Sequence, residues 1–128
     1  NAYAWTLMNQ LAEKLKKPAV EIYRDLVRDV AGASDIVTIK QEAIETFKRG
    51  WESQGQGWQV VLLDTMPTPN GTFCTLQCWY GSSVYDSKQM HRLLELIVQE
   101  CQQQGIPTMT PDEIAKLKGL TDDEANKR

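Results

Sequence analysis

A helix-rich α+β single domain is the fold class this sequence predicts, on three observations. Apolar residues recur with a helical period up to Trp51 and again from Met90 onward. Two short β-prone runs lie between those blocks around an Asn70-Gly71 turn signal. A chain of 128 residues with 41% apolar side chains is enough for one core and leaves little for a second. The expected domain is residues 1–118, followed by a flexible tail at 119–128 that carries no apolar periodicity.

Each element has its own signal. Trp5, Met8, Leu11, Ala12 and Leu15 repeat every 3.6 residues and mark a first amphipathic helix. Pro18 suits the first turn of a second helix, which Val20, Tyr23, Leu26, Val27 and Val30 carry to Gly32. Thr38 stands three residues before Gln41 in a capping-box arrangement, so a third helix is expected to run to about Trp51 with Ile39, Ala43, Phe47 and Trp51 on its buried face. Ser53 to Gly57 is polar and glycine-rich and reads as a connection.

Trp58 to Thr65 and Thr72 to Tyr80 read as the two strands of a β-hairpin packed against the helices. In the second, Cys74, Leu76, Cys78 and Tyr80 alternate with Phe73, Thr75, Gln77 and Trp79, and both faces are partly apolar. Helices are expected on one face and another strand or subunit on the other. Pairing with an upstream segment or with a second copy would supply it, and a homodimer is the simpler version. Asp86 or Ser87 caps a fourth helix with Met90, Leu93, Leu94, Ile97 and Cys101 as its seam, ending near Gly105. Thr110-Pro111-Asp112-Glu113 opens a short terminal helix ahead of Ile114 and Leu117.

Composition excludes several classes of function. Fourteen basic against seventeen acidic groups give a formal charge of −3, and the pI near 5.1 supplies no global field toward a polyanion. No apolar run reaches the length of a membrane span and no targeting segment opens the chain, so a soluble protein of the bacterial cytoplasm is expected. Asn1 in place of an initiating methionine points to a start upstream. Three cysteines at 74, 78 and 101 do not form a disulfide framework, and with His91 the sole histidine no zinc finger can be assembled. Cys74 and Cys78 read as core, and neither a metal nor a cofactor is expected. Asp64 and Asp86 flank the hairpin and form the pair a metal-dependent nuclease would need.

A local polyanion patch has more residues behind it. Lys88 and Arg92 are four apart on one helical face, directly after Gly81-Ser82-Ser83, whose amides and hydroxyls suit a phosphate near a helix N-terminus. Lys14, Lys16 and Lys17 on the first helix and Lys40, Lys48 and Arg49 around the third add charge, and Trp58 or Tyr85 could stack unpaired bases. Residues 1–92 hold ten basic and ten acidic groups, whereas 93–128 hold four and seven. The acidity is concentrated in the C-terminal part.

Asn1-x-x-x-Trp5 at the first helix, and Leu93-Leu94-Glu95-Leu96-Ile97 followed by Gly105-Ile106, resemble the phage NinB family of recombination proteins, also called Orf. Gly81-Ser82-Ser83-x-Tyr85-Asp86-Ser87-Lys88-Gln89-Met90 and Gly105-Ile106-Pro107-Thr108-Met109-Thr110-Pro111-Asp112-Glu113 also look like a group of uncharacterised prophage proteins. The resemblance implies an α+β, dimeric, non-enzymatic protein that binds single-stranded DNA and helps load a recombinase in place of host mediators. Its partners would be single-stranded DNA and a recombinase or single-strand-binding protein. The family's basic surface is not matched position by position, so Ser82, Ser83, Tyr85, Lys88, Arg92, Lys14, Lys17 and Lys40 are the contact residues expected from this sequence itself. The alternative is a protein-interaction module that engages a host replication or recombination protein, and a nuclease is the third reading.

Overall fold

The computed structural model describes residues 2–110, 112, 113 and 116. The order is α1 (Ala2–Leu15), α2 (Ala19–Val27), β1 (Ser34–Lys40), a 3-10 turn (Gln41–Ala43), α3 (Ile44–Glu52), β2 (Gln59–Thr68), β3 (Gly71–Trp79), a second 3-10 turn (Ser82–Val84) and α4 (Ser87–Gln103). The fold is α+β, with one antiparallel sheet in the order β1-β3-β2. No helix among the described residues is long and apolar enough to cross a membrane.

Two apolar clusters form. The helical one joins Ala4, Leu7, Met8 and Leu11 of α1, Ile22, Tyr23 and Val27 of α2, and Leu93, Leu94, Ile97 and Cys101 of α4. The stripe on α1 is rotated from the expected one, because Trp5 lies at the rim, 37% exposed, and packs on the Tyr23 ring at 5.2 Å. The second cluster is Cys74, Leu76 and Cys78 of β3, covered by Ile44, Phe47 and Trp51 of α3 and flanked by Val37, Ile39 and Val60. All three cysteines are buried and unpaired with one another.

The largest correction concerns residues 34–40. They form a strand, and the capping-box signal from Thr38 to Gln41 does not start a helix. Ile36-Val37-Thr38-Ile39 is a run of β-branched residues that fits a pleated surface and loses rotamer freedom in a helix. Val37 and Ile39 turn toward α3 while Thr38 faces outward, its hydroxyl 3.4 Å from that of Thr75. Lys40 is still extended, and the chain turns helical only from Gln41. β1 therefore supplies, from within the chain, the neighbour that the hairpin was expected to take from an upstream segment or a second copy. Ala43, placed on the buried face of the third helix by the sequence pattern, is exposed.

The hairpin itself forms, displaced at both ends. β2 starts after Trp58 and runs through Pro67 to Thr68, which is tolerated because β2 is an edge strand. Pro69 and Asn70 make the turn, Gly71 takes φ +119°, and the Thr68 hydroxyl donates to the Gly71 carbonyl at 2.6 Å. A bulge lies between Leu62 and Asp64. α4 begins as expected: the Asp86 side chain accepts from the Gln89 amide at 2.8 Å and the Gln89 side chain accepts from the Asp86 amide at 3.0 Å. It ends in a Schellman motif, with Gly105 at φ +73° and the Ile106 N–H on the Cys101 carbonyl at 2.9 Å. The Thr110–Glu113 capping pair forms, whereas Pro111, Ile114, Leu117 and the expected tail lie outside the described residues.

The two clusters meet at a junction without side-chain volume to spare. Gly57 and Gly81 face each other: a Cβ on Gly57 would lie 2.8 Å from the Tyr23 hydroxyl and 3.0 Å from the Gly81 Cα. A Cβ on Gly81 would lie 2.6 Å from the indole of Trp58, which is buried and stacked edge-on between Trp51 and Tyr80. Gly81→Ala is therefore expected to cost about 1–3 kcal/mol through overpacking. Gly50→Ala, inside α3 with open space around it, is expected to stabilise by about 0.5–1 kcal/mol. Opposite shifts of the urea midpoint in the two variants check this, and equal shifts would refute it.

Candidate nucleic-acid interface

The segment from Tyr80 to Arg92 links the sheet to α4. The Tyr80 amide donates to the Ala33 carbonyl at 3.0 Å, which continues the β1–β3 pairing by one step. The chain then passes the Trp58 indole at Gly81, coils once through Ser82–Val84 and enters the Asp86 cap.

Ser82, expected to hold a phosphate, is held by the protein. Its amide donates to the Tyr23 hydroxyl at 2.9 Å and its own hydroxyl bonds the same oxygen at 2.7 Å. Ser83 is exposed. Lys88 is exposed and has no partner among the described residues. Arg92, one turn further on, is also exposed and lies 3.3 Å from Glu95, which His91 approaches at 2.9 Å. A half-exposed pair of this kind holds weakly, so its guanidinium can exchange partners.

The remaining expected cations are dispersed. Lys14 lies in the last turn of α1 and Lys17 just beyond its end, 3.7 Å from Asp25. Lys40 pairs in register with Phe73, six residues along β1 from the Ser34–Trp79 end at which the segment leaves the sheet, about 20 Å away. Trp58, expected as an exposed stacking platform, is a correction: it is buried in the aromatic cluster. Its neighbours reach it from Trp51, Tyr80 and Gly81, none of which local periodicity reveals.

Tyr85 is half-buried, and with Tyr80 it bounds a cavity of about 260 Å³ that Gly32, Val84 and Gln89 complete. Sequence reasoning named Tyr85 and missed the cavity, because Gly32 and Tyr80 arrive from distant positions. Gly32 sits at φ +77° and presents bare backbone, with its carbonyl 3.4 Å from the Gln89 Nε2. Tyr80 is set from behind by the rings of Trp51 and Trp58, and its hydroxyl donates to Asp35. The Tyr85 hydroxyl is buried and has no hydrogen-bond partner among the described residues. Burial, and next the neighbouring Tyr23, push its pKa up to about 12.

The nuclease pair is not assembled. Asp64 aligns with Thr75, five residues before Tyr80 and so about 16 Å of strand away, while the Asp86 carboxylate caps α4. Among the described residues no group of three or more histidine, cysteine or acidic side chains is placed to hold a metal ion. Burial, helped by Asp35 at Cys78 and by Glu100 at Cys101, raises both of those thiols and keeps them protonated.

The two tyrosine hydroxyls make opposite predictions. Tyr23→Phe leaves the Ser82 amide without its acceptor and is expected to cost about 1–3 kcal/mol. Tyr85→Phe removes an unpaired hydroxyl and is expected to be neutral or stabilising near pH 7. Because the Tyr85 pKa is raised on folding, its contribution is complete below the ordinary phenol value near 10 and is lost as pH rises through about 12. Denaturation of the parent should therefore show a fall in stability across that window that Tyr85→Phe reduces. An unchanged alkaline profile in the variant would refute it.

No known family matches this chain, nor does any curated protein or solved structure.

Proposed function

We propose that this chain is a non-enzymatic accessory protein of phage DNA recombination that binds single-stranded DNA and assists recombinase loading in the bacterial cytoplasm. The observation that carries the DNA reading is the placement of Lys88 and Arg92 one turn apart on the exposed face of α4, beside a cavity walled by two tyrosines. Cations that follow a backbone next to aromatic surfaces are the recurring means of holding single strands without sequence preference. The role in recombination rests on the NinB resemblance, which also supplies the recombinase or single-strand-binding protein as partner.

A salt titration against a short single-stranded oligonucleotide tests it. Each phosphate neutralised contributes about 0.7 to the slope of log affinity against log salt, so Lys88→Ala with Arg92→Ala should flatten the slope by roughly 1.4. Both side chains are exposed and clear of the α4 seam, so the double variant should stay folded. Absence of binding by the parent would overturn the DNA reading, and an unchanged slope in the variant would remove this segment from it.

A second reading, a protein-interaction module, is favoured by the open face of the sheet. Rows Ile36-Gln77-Val61, Thr38-Thr75-Asp64 and Lys40-Phe73-Met66 lie opposite the side that α3 covers, and Ile36 at 64%, the bulged Leu63 at 49% and Met66 at 40% are exposed. Apolar side chains gathered on one face mark a contact surface more often than scattered ones do. The homodimer implied by the resemblance would use this face. Sedimentation should then give twice 14.5 kDa at micromolar concentration, and Ile36→Asp should return the monomer. A monomeric parent would leave the face to a different partner.

A further inference from the structure

The cavity at the start of α4 has two tyrosines in its lining. We infer that it is a stacking slot for one unpaired nucleobase, an inference that rests on the single-strand reading and supplies that reading with its main source of affinity. Three observations carry it.

The first is shape and lining. At about 260 Å³ the cavity is below the range of drug-sized ligands, and it is lined by Tyr80 and Tyr85 together with Gly32, Val84 and Gln89. Aromatic side chains take a planar ring by stacking, and every base has a face for it. The second is preorganisation. Tyr80 is held by Trp51, Trp58 and Asp35, and Tyr85 packs against the helical core, so a guest orders these side chains at reduced cost. Gln89 is held as well, its Oε1 accepting from the Asp86 amide and its Nε2 lying 3.4 Å from the Gly32 carbonyl, so it lines the cavity in a fixed position.

The third is charge. Lys88 and Arg92 adjoin Gln89 on α4, within reach of the phosphates on either side of a base in the slot. Asp35, Asp86 and Glu95 lie around the same place, so the local balance is not positive. Two cations against three carboxylates cannot hold a strand by charge alone. Stacking, which does not depend on released counterions, has to supply the larger share.

The test compares a short oligothymidylate with an abasic deoxyribose-phosphate strand of the same length, each titrated by fluorescence anisotropy. The abasic strand keeps every phosphate and loses every ring. It should bind at least tenfold more weakly, in line with stacking by one base. Val84, 56% exposed at the rim, allows a filling variant away from the core: Val84→Trp should lower oligothymidylate binding to the abasic level and leave abasic binding unchanged. Thymidine alone should shift the amide resonances of Val84 and Gln89.

Equal affinity for the two strands would overturn the slot and leave the phosphate contacts standing. Failure of both strands to bind would overturn the single-strand reading and the slot with it. If N-acetyltryptophanamide, and not thymidine, moves those resonances, the slot takes an aromatic side chain of a protein and the inference is wrong.

Discussion

The close approach of Gly57 and Gly81 between the Trp58 indole and the Tyr23 hydroxyl is the contact on which the arrangement depends. It is the place where the sheet cluster and the helical cluster are fastened together. The sheet with α3 would bury one face by itself, and α1, α2 and α4 would bury theirs, so neither cluster fixes its orientation to the other. Orientation comes from a few directional contacts at this joint: Tyr23 on Ser82, and the Gln59 amide on the Arg24 carbonyl at 2.9 Å. Hydrogen bonds of this type select one geometry because a wrong one leaves buried groups unpaired.

The joint also changes the meaning of the Gly81-Ser82-Ser83 stretch. Its composition suits an anion cradle, yet the glycine is required by the indole and the first serine by a tyrosine 59 residues earlier. Its visible effect is on position: it anchors the loop that carries Val84 and Tyr85 to the cavity they line with Gly32, Tyr80 and Gln89.

Local signals were legible and distant ones were not. The α4 cap is readable because Asp86 and Gln89 act on each other three residues apart, and the hairpin because Asn70-Gly71 provides the conformation its turn needs. β1 was masked by a true competition: Thr38 and Gln41 satisfy a helix-start pattern while Ile36 to Ile39 satisfy a strand pattern, and the free edge of β3 decides between them. No window of sequence contains that edge. The same holds for the candidate site, where Lys88, Arg92 and Tyr85 could be named from spacing, but Gly32 and Tyr80 join them only through the β1–β3 register. The burial of Trp58 is likewise hidden from local pattern, because Trp51, Tyr80 and Gly81 bring most of it from other elements.

An acidic chain can hold a polyanion only if the relevant charges are few and near. At physiological salt the screening length is about 8 Å, so the three-charge acidic excess of residues 93–128 matters little to a phosphate beside α4 wherever it lies beyond that distance. The carboxylates that count are those near the cavity, and all three keep their charge, although Asp86 is turned to the backbone and Asp35 to the Tyr80 hydroxyl. Glu95 is the one that competes directly with a phosphate for Arg92. The balance therefore favours a shallow dependence on salt and a modest affinity per site. Such a grip would suit the proposed role of an accessory that releases the strand once another protein takes it, since stacking on one base would be lost in a single step.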